Sequence, residues 1–171
     1  RDPIFTDINK YFIFKSVTIE PRFNISDNYK VKEALVKYGA LGVTVLSPDS
    51  DTPNDFNNQT SAAYSNIRHG TDHTVTLVGW DDNYSASNFK ITPPGDGAWI
   101  IKNSWGEDWG DKGYYYASYY DESVINYDTN IFAIIIDPSI SYDKIYQYDT
   151  NAHVAFDIAD TFSSEALRFT A

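Results

Sequence analysis

The sequence has no cysteine and no methionine among its 171 residues. Without a thiol, the chain forms no disulfide and supplies no cysteine nucleophile, so thiol chemistry would need a residue from elsewhere. Basic residues are also scarce, with 13 Lys and Arg against 24 Asp and Glu and a formal net charge of -11. This charge opposes binding to nucleic acid or to anionic membrane surfaces.

Long hydrophobic runs are missing as well. No apolar run approaches the ~20 residues that cross a bilayer, and no signal peptide heads the chain, so we expect no membrane insertion. The chain begins with Arg1, which we interpret as the start of an internal fragment or a processed product. The 14 Tyr, 10 Phe and 4 Trp, with polar residues between apolar runs, are typical of a secreted β-rich protein.

The hydrophobic pattern predicts a mixed fold. Apolar residues spaced by three and four predict a helix over residues 27–38, capped by Ser26 or Asp27 and ended by Gly39. The polar stretch 47–70 has no apolar period and predicts a long surface loop. Strands are predicted over residues 41–46, 74–80, 98–102, 113–120 and 131–136. These intervals indicate a mostly antiparallel barrel or sheet within the α+β class.

One histidine and one asparagine have the context of a catalytic pair. A histidine beside an apolar strand, as His73 is, is more often structural than catalytic. An imidazole acting as a base needs its other ring nitrogen held by an acceptor, and the Asn103 side-chain oxygen can hold it without adding a full negative charge. Trp105 lies on the same side of an extended segment as Asn103 and can keep water off that hydrogen bond.

Two motifs extend this context. The first reads DHTV at residues 72–75 and LVGW at 77–80; the second reads KNSWG at 102–106, followed by WG at 109–110 and GY at 113–114. The chain resembles the C-terminal half of a papain-like cysteine peptidase over about residues 25–136. The resemblance implies the right-hand, antiparallel β-barrel lobe of a two-lobed fold, with the active-site cleft between the lobes.

The resemblance also implies roles for individual residues. His73 and Asn103 would be catalytic, and Trp105 would support them and floor the leaving-group side. Asp72 would border the cleft, and Thr44 and Thr74 would line the pocket for the second substrate side chain. An ordinary strand role for the two threonines is an equally good reading. We expect no cofactor and no metal, because the acidic residues at 49, 51 and 55 lack the glycine and closing glutamate of a calcium loop.

The sequence contains only one of the two lobes that a papain-like peptidase needs for activity. A left-hand lobe, in the same precursor or in a separate chain, would supply the nucleophilic cysteine and the oxyanion glutamine, so this chain alone should be inactive. The parent protein would be a cysteine-type endopeptidase acting on peptide or protein substrates. The alternative is a non-catalytic papain-like homologue that acts as a surface binding or adhesion module.

The domain prediction divides the chain at residues 137 and 138. Residues 1–137 would form the right-hand lobe, and 138–171 would be a linker and the short β-rich start of a lectin-like domain that contacts glycans. The segment 81–97 resembles the longer connection of bacterial and archaeal surface members, which predicts an extracellular or cell-surface location.

Overall fold

The computed structural model describes residues 13–48, 55–68, 70–126 and 129–136, with side chains described from residue 16 to residue 135. The chain divides into two compact units. The smaller unit combines Arg1–Val17 with Ile134–Ala171, and the larger unit is Thr18–Ala133. All six residues predicted to form the site belong to the larger unit.

The predicted helix is present as α1, Asn28–Tyr38. Its buried residues, Asn28, Val31, Ala34 and Leu35, follow the spacing of three and four that predicted it. Gly39 ends the helix with φ of +81°, and its N–H donates to the Leu35 carbonyl at 2.9 Å. Asp27 occupies the N-terminal capping position, but its side chain accepts from the Phe23 N–H at 3.2 Å instead of capping α1.

Eight strands form one sheet in the order β1-β8-β2-β5-β6-β7-β4-β3. Neighbours pair antiparallel from β8 through β2, β5 and β6 to β7, whereas β4 runs parallel to β7. The strands are β1 Ile13–Ile19, β2 Leu41–Val45, β3 Phe56–Asn57, β4 Ala62–Ala63, β5 His73–Asp81, β6 Ala98–Lys102, β7 Tyr114–Ser118 and β8 Ile131–Ile136. The predicted α+β class is confirmed.

The structure differs from the sequence-based predictions in two places, and a third prediction falls on residues that it does not describe. The stretch 47–70 is not a featureless loop, because β3 and β4 form a short hairpin within it. Strand β1 was not predicted, since its alternation mixes polar and apolar residues. The boundary predicted at residues 137 and 138, and the segment that follows, lie outside the described residues.

Alternating burial along the strands builds the core of the larger unit. Val43 and Val45 of β2 and Leu77 of β5 are fully buried, while the residues between them are more exposed. Aromatic side chains complete the core, with Trp99 of β6 and Tyr115 of β7 among the largest fully buried residues. No helix of the described residues is long and apolar enough to cross a membrane.

Candidate active site

His73 is the first residue of β5, where it pairs across the sheet with Val45 of β2. Because alternate residues share a face, His73 lies on the same side of the sheet as Val75 and Leu77, which are buried in the core. The ring is half-buried at the end of that face. The strand therefore presents the imidazole at the border between the core and the surface.

Asn103 directly follows β6 and lies beside His73. Its side chain is only 6% exposed, and its N–H donates to the Gly113 carbonyl at 2.8 Å, which closes the loop 103–113. That closure needs glycine at two positions. Gly113 has φ of +87°, and at Gly110, with φ of +62°, a Cβ would collide with the Tyr114 carbonyl oxygen. The glycines of the second motif thus shape the loop that carries Asn103.

His73 Nε2 and Asn103 Oδ1 are 2.9 Å apart, which is hydrogen-bonding distance. The Ser104 N–H donates to the same Oδ1 at 2.8 Å, which identifies that atom as the oxygen of the amide. An oxygen only accepts, so His73 must donate from Nε2. In the neutral ring, Nδ1 then holds the lone pair, and it is the atom that can accept a proton from a nucleophile.

Trp105 lies against the His73 ring, beside the hydrogen bond to Asn103. Its ring stacks on His73 with 5.2 Å between ring centroids and an interplanar angle of 20°. The indole is 37% exposed, so one side faces the imidazole while part of the ring reaches solvent. Shielding by the indole strengthens the bond between His73 and Asn103, because water competes less for the two groups.

The amide nitrogen of Asn103 is a buried donor with no hydrogen-bond partner among the described residues. The oxygen of the same amide receives two donors, one from His73 and one from Ser104. The amide oxygen therefore makes both of the hydrogen bonds that the Asn103 side chain contributes to the site.

Asp72 and Thr74 flank His73 in the sequence, and Thr44 lies across the sheet from Thr74. The Asp72 carboxylate accepts from the Ser47 N–H at 2.6 Å, which ties the end of β2 to the start of β5. Thr44 and Thr74 are cross-strand partners, and the Thr44 hydroxyl accepts from the Asn130 N–H at 2.8 Å. By strand alternation both point to the face opposite His73. Their role in substrate binding stays a prediction.

Further aromatic rings extend the site in a way that the sequence did not predict. Trp109 meets Trp105 edge-on at 4.8 Å, and Phe56 of β3 stacks on Trp109 at 5.3 Å. Trp109 belongs to the second motif, so its presence had a sequence signal. Phe56 had none, because it stands in a polar stretch without an apolar period.

No group of three or more His, Cys, Asp or Glu side chains that could hold a metal ion occurs within the described ranges. Of the acidic residues considered for calcium, those at positions 49 and 51 lie outside the described residues.

The sequence profile of the papain family of cysteine proteases matches residues 8–135. This chain therefore belongs to the papain family of cysteine proteases. Cysteine proteinase 1 of Zea mays is 39% identical over 90 residues, which are 52% of this chain and 22% of the maize protein. The chain thus spans only about a fifth of that relative.

Among solved structures, the chain is similar to Cwp84. The structure of the cysteine protease and lectin-like domains of Cwp84, a surface-layer-associated protein of Clostridium difficile, is 30% identical with a TM-score of 0.61, covering 78% of this chain and 28% of that one. Cwp84 after propeptide cleavage is 31% identical with a TM-score of 0.60, covering 76% of this chain and 30% of that one. These similarities agree with the α+β fold and the papain-like resemblance.

Proposed function

We propose that this chain supplies the catalytic histidine and asparagine of a papain-like cysteine endopeptidase. The observation that carries the proposal is the hydrogen bond from His73 Nε2 to Asn103 Oδ1, oriented by the Ser104 N–H and covered by Trp105. This arrangement leaves Nδ1 of His73 as the basic atom. The chain contains no cysteine, so the nucleophile and the oxyanion glutamine come from a left-hand lobe outside these 171 residues.

The proposed reaction is hydrolysis of a peptide bond through an acyl-enzyme. The cysteine thiol transfers its proton to His73 Nδ1, and the thiolate attacks the scissile carbonyl carbon. As the C–N bond breaks, His73 returns the proton to the leaving amine, and a thioester remains on the cysteine. His73 then takes a proton from water as the water attacks the thioester, which releases the acid product and regenerates the thiol.

Asn103 contributes by holding the ring through both protonation states. The bond from Nε2–H to Oδ1 becomes charge-assisted when the imidazole is protonated, so it is strongest in the ion pair with the thiolate. The neutral amide does this without the additional negative charge that a carboxylate would place beside the ring. Asp72, Thr44 and Thr74 would bind the peptide or protein substrate.

The protein would act outside the cell or at its surface. Support comes from the aromatic, polar composition and from the similarity to Cwp84, a surface-layer-associated protein of Clostridium difficile. A lectin-like domain after residue 137 would add glycan contacts in the same setting.

The test is turnover of peptide substrates by the full-length protein and by its His73→Ala variant. Because general acid–base catalysis contributes about 10²- to 10⁴-fold, we expect kcat/KM to fall by at least about 10²-fold in the variant. Thermal melting of both proteins controls for folding. Near-normal cleavage by folded His73→Ala protein would refute the catalytic role. A wild-type protein that binds peptides or surfaces without cleaving any would support the non-catalytic binding module instead.

A further inference from the structure

The ring of Trp105 covers the bond between His73 and Asn103, yet Trp105 itself stands in an exposed loop. Its position among the described residues is defined by ring contacts, with His73 on one side and the edge of Trp109 at 4.8 Å and 86° on another. A ring that is 37% exposed needs such a support to stay over the imidazole. The orientation of Trp109 therefore determines that of Trp105.

Two aromatic residues clamp Trp109. Tyr115 of β7 meets it edge-on at 5.6 Å and is itself only 1% exposed, so it forms a fixed wall in the core. Phe56 of β3 stacks on Trp109 with a centroid distance of 5.3 Å and an angle of 24°. Phe56 is half-buried, and it belongs to β3, the last strand in the order of the sheet.

The hairpin that carries Phe56 is docked on the segment 81–97. The side chains of Asn57 and Thr60 both donate to the Asn88 carbonyl, at 2.8 and 2.5 Å. The Tyr84 hydroxyl in turn donates to the Thr60 carbonyl at 3.0 Å. Through these bonds the long connection between β5 and β6 fixes the hairpin, and the hairpin fixes the Phe56 ring against Trp109.

We propose that Phe56 is a positioning residue that acts through Trp109 to hold Trp105 over the hydrogen bond between His73 and Asn103. Phe56 contacts none of the reacting atoms, so its effect reaches the site only through the two indoles. The effect of Phe56 on catalysis rests on the proposed function. Its effect on the shielding of the hydrogen bond does not.

The size of the effect follows from the strength of an aromatic contact. Losing the stack between Phe56 and Trp109 should raise the population in which Trp105 is displaced by about two- to tenfold. Water then reaches the His73 Nε2–H more often, and that proton exchanges faster. If the proposed reaction is right, kcat/KM falls because the imidazole is less firmly oriented.

The experiment compares Phe56→Leu with Phe56→Tyr in the full-length protein. Exchange of the His73 Nε2–H with water is measured by NMR on protein carrying ¹⁵N-labelled histidine, alongside kcat/KM. We expect Phe56→Leu to exchange about two- to tenfold faster and to lose less than that factor in kcat/KM, because exchange follows the displaced population and turnover follows the covered one. Phe56→Tyr should restore both. Asn57→Ala removes one of the two side-chain hydrogen bonds from the hairpin to the Asn88 carbonyl, so it should also accelerate exchange, and it serves if Phe56→Leu fails to fold.

Phe132 of β8 provides a matched control. Its ring packs against Gly42 of β2, and the sheet order separates β8 from the strand β3 that carries Phe56. Phe132→Leu should lower the melting temperature but leave the exchange of the His73 proton unchanged. Equal acceleration in Phe132→Leu, unchanged exchange in Phe56→Leu, or a wild-type proton without protection would each overturn the positioning role. Faster exchange in Phe56→Leu in a protein that cleaves no peptide would refute the proposed function and keep the positioning role.

Discussion

In the described part of the larger unit, two groups of buried or half-buried polar side chains differ in how their hydrogen bonds are completed. One is the pair His73 and Asn103, which leaves the amide nitrogen of Asn103 without a partner among the described residues. The other is the arginine network, defined as Arg22, Asn28, Ser65, Asp121 and Ser123. None of the side-chain atoms of this network is among the unpartnered buried atoms of the described residues.

Hydrogen bonds complete the arginine network on both of its charged groups. The Arg22 guanidinium donates to Asn28 Oδ1 at 2.9 Å and to the carbonyls of Ile125 and Asp121 at 3.2 and 3.4 Å. The Asp121 carboxylate accepts from the Ser65 N–H at 2.8 Å and from both the N–H and the hydroxyl of Ser123, at 2.8 and 2.7 Å.

Burial opposes the charges of the arginine network. It raises the pKa of Asp121, against the lowering effect of the Ser123 and Ser65 hydrogen bonds and of the Arg22 charge. It likewise lowers the pKa of Arg22, although the Asp121 charge acts in the opposite direction. The hydrogen bonds offset part of these costs, and they join both charged residues to the surrounding fold. The His73 and Asn103 pair instead keeps one ring nitrogen for chemistry.

The largest effect that separates the two regions should come from Arg22→Met. The substitution leaves Asn28 Oδ1 and the carbonyls of Ile125 and Asp121 without their donor. At about 1–3 kcal/mol for each unsatisfied buried group, we expect a loss of about 3 kcal/mol or more in the free energy of unfolding. The activity of the remaining folded protein should be unchanged. Urea unfolding and kcat/KM measured on the same preparation check this. A variant with wild-type stability would mean that the network does not serve folding as described.

Asn103→Ala should show the reverse pattern. The imidazole keeps its basic atom but loses its tether, and the misplaced ring should lower kcat/KM by about 10- to 100-fold. Stability should change by less than about 1 kcal/mol, because the substitution also removes the unpaired buried donor. Kinetics and urea unfolding together test the contrast. A loss of stability as large as that of Arg22→Met would remove the distinction between the two regions.

A smaller effect concerns acid stability and an exposed ion pair. Lys32 forms a hydrogen-bonded ion pair with Asp82, which lowers the Asp82 pKa, and the Tyr119 hydroxyl donates to the same oxygen at 2.8 Å. A lowered folded-state pKa gives stability that is present above the unfolded value of about 4 and is lost as the pH falls through the folded value.

The matched variant for this pair is Lys32→Met, which keeps the packing of the stem and removes the charge. Between about pH 6 and about pH 3, unfolding free energies of the wild type should fall more than those of the variant. Over this pH range Asp121 has the opposite effect on the free energy of unfolding. Its pKa is raised in the folded protein, so protonation of its carboxylate stabilises the fold. It is present in both proteins and cancels in the comparison. Parallel losses in the two proteins would show that the Lys32 and Asp82 pair adds no stability.

Much of the site was predictable because its residues are close in sequence or lie on strands with a clear period. The spacing of Asn103 and Trp105 predicted that their side chains lie on the same side of the segment that carries them. The alternation of residues after His73 predicted strand β5. The contact between Phe56 and Trp109 was not predictable, since it joins a polar stretch without period to a distant loop. The hydrogen bond from the Ser104 N–H to Asn103 was not predictable either, because a backbone N–H does not depend on which side chain the residue carries.

Mass-spectrometric mapping of a thiol-directed epoxide on the full-length protein, with a His73→Ala control, tests directly whether His73 activates a cysteine nucleophile. We expect label on a single cysteine outside these 171 residues, and loss of that label in the control, because His73 generates the reactive thiolate. A folded protein that takes no label, or one that is labelled equally without His73, would contradict it.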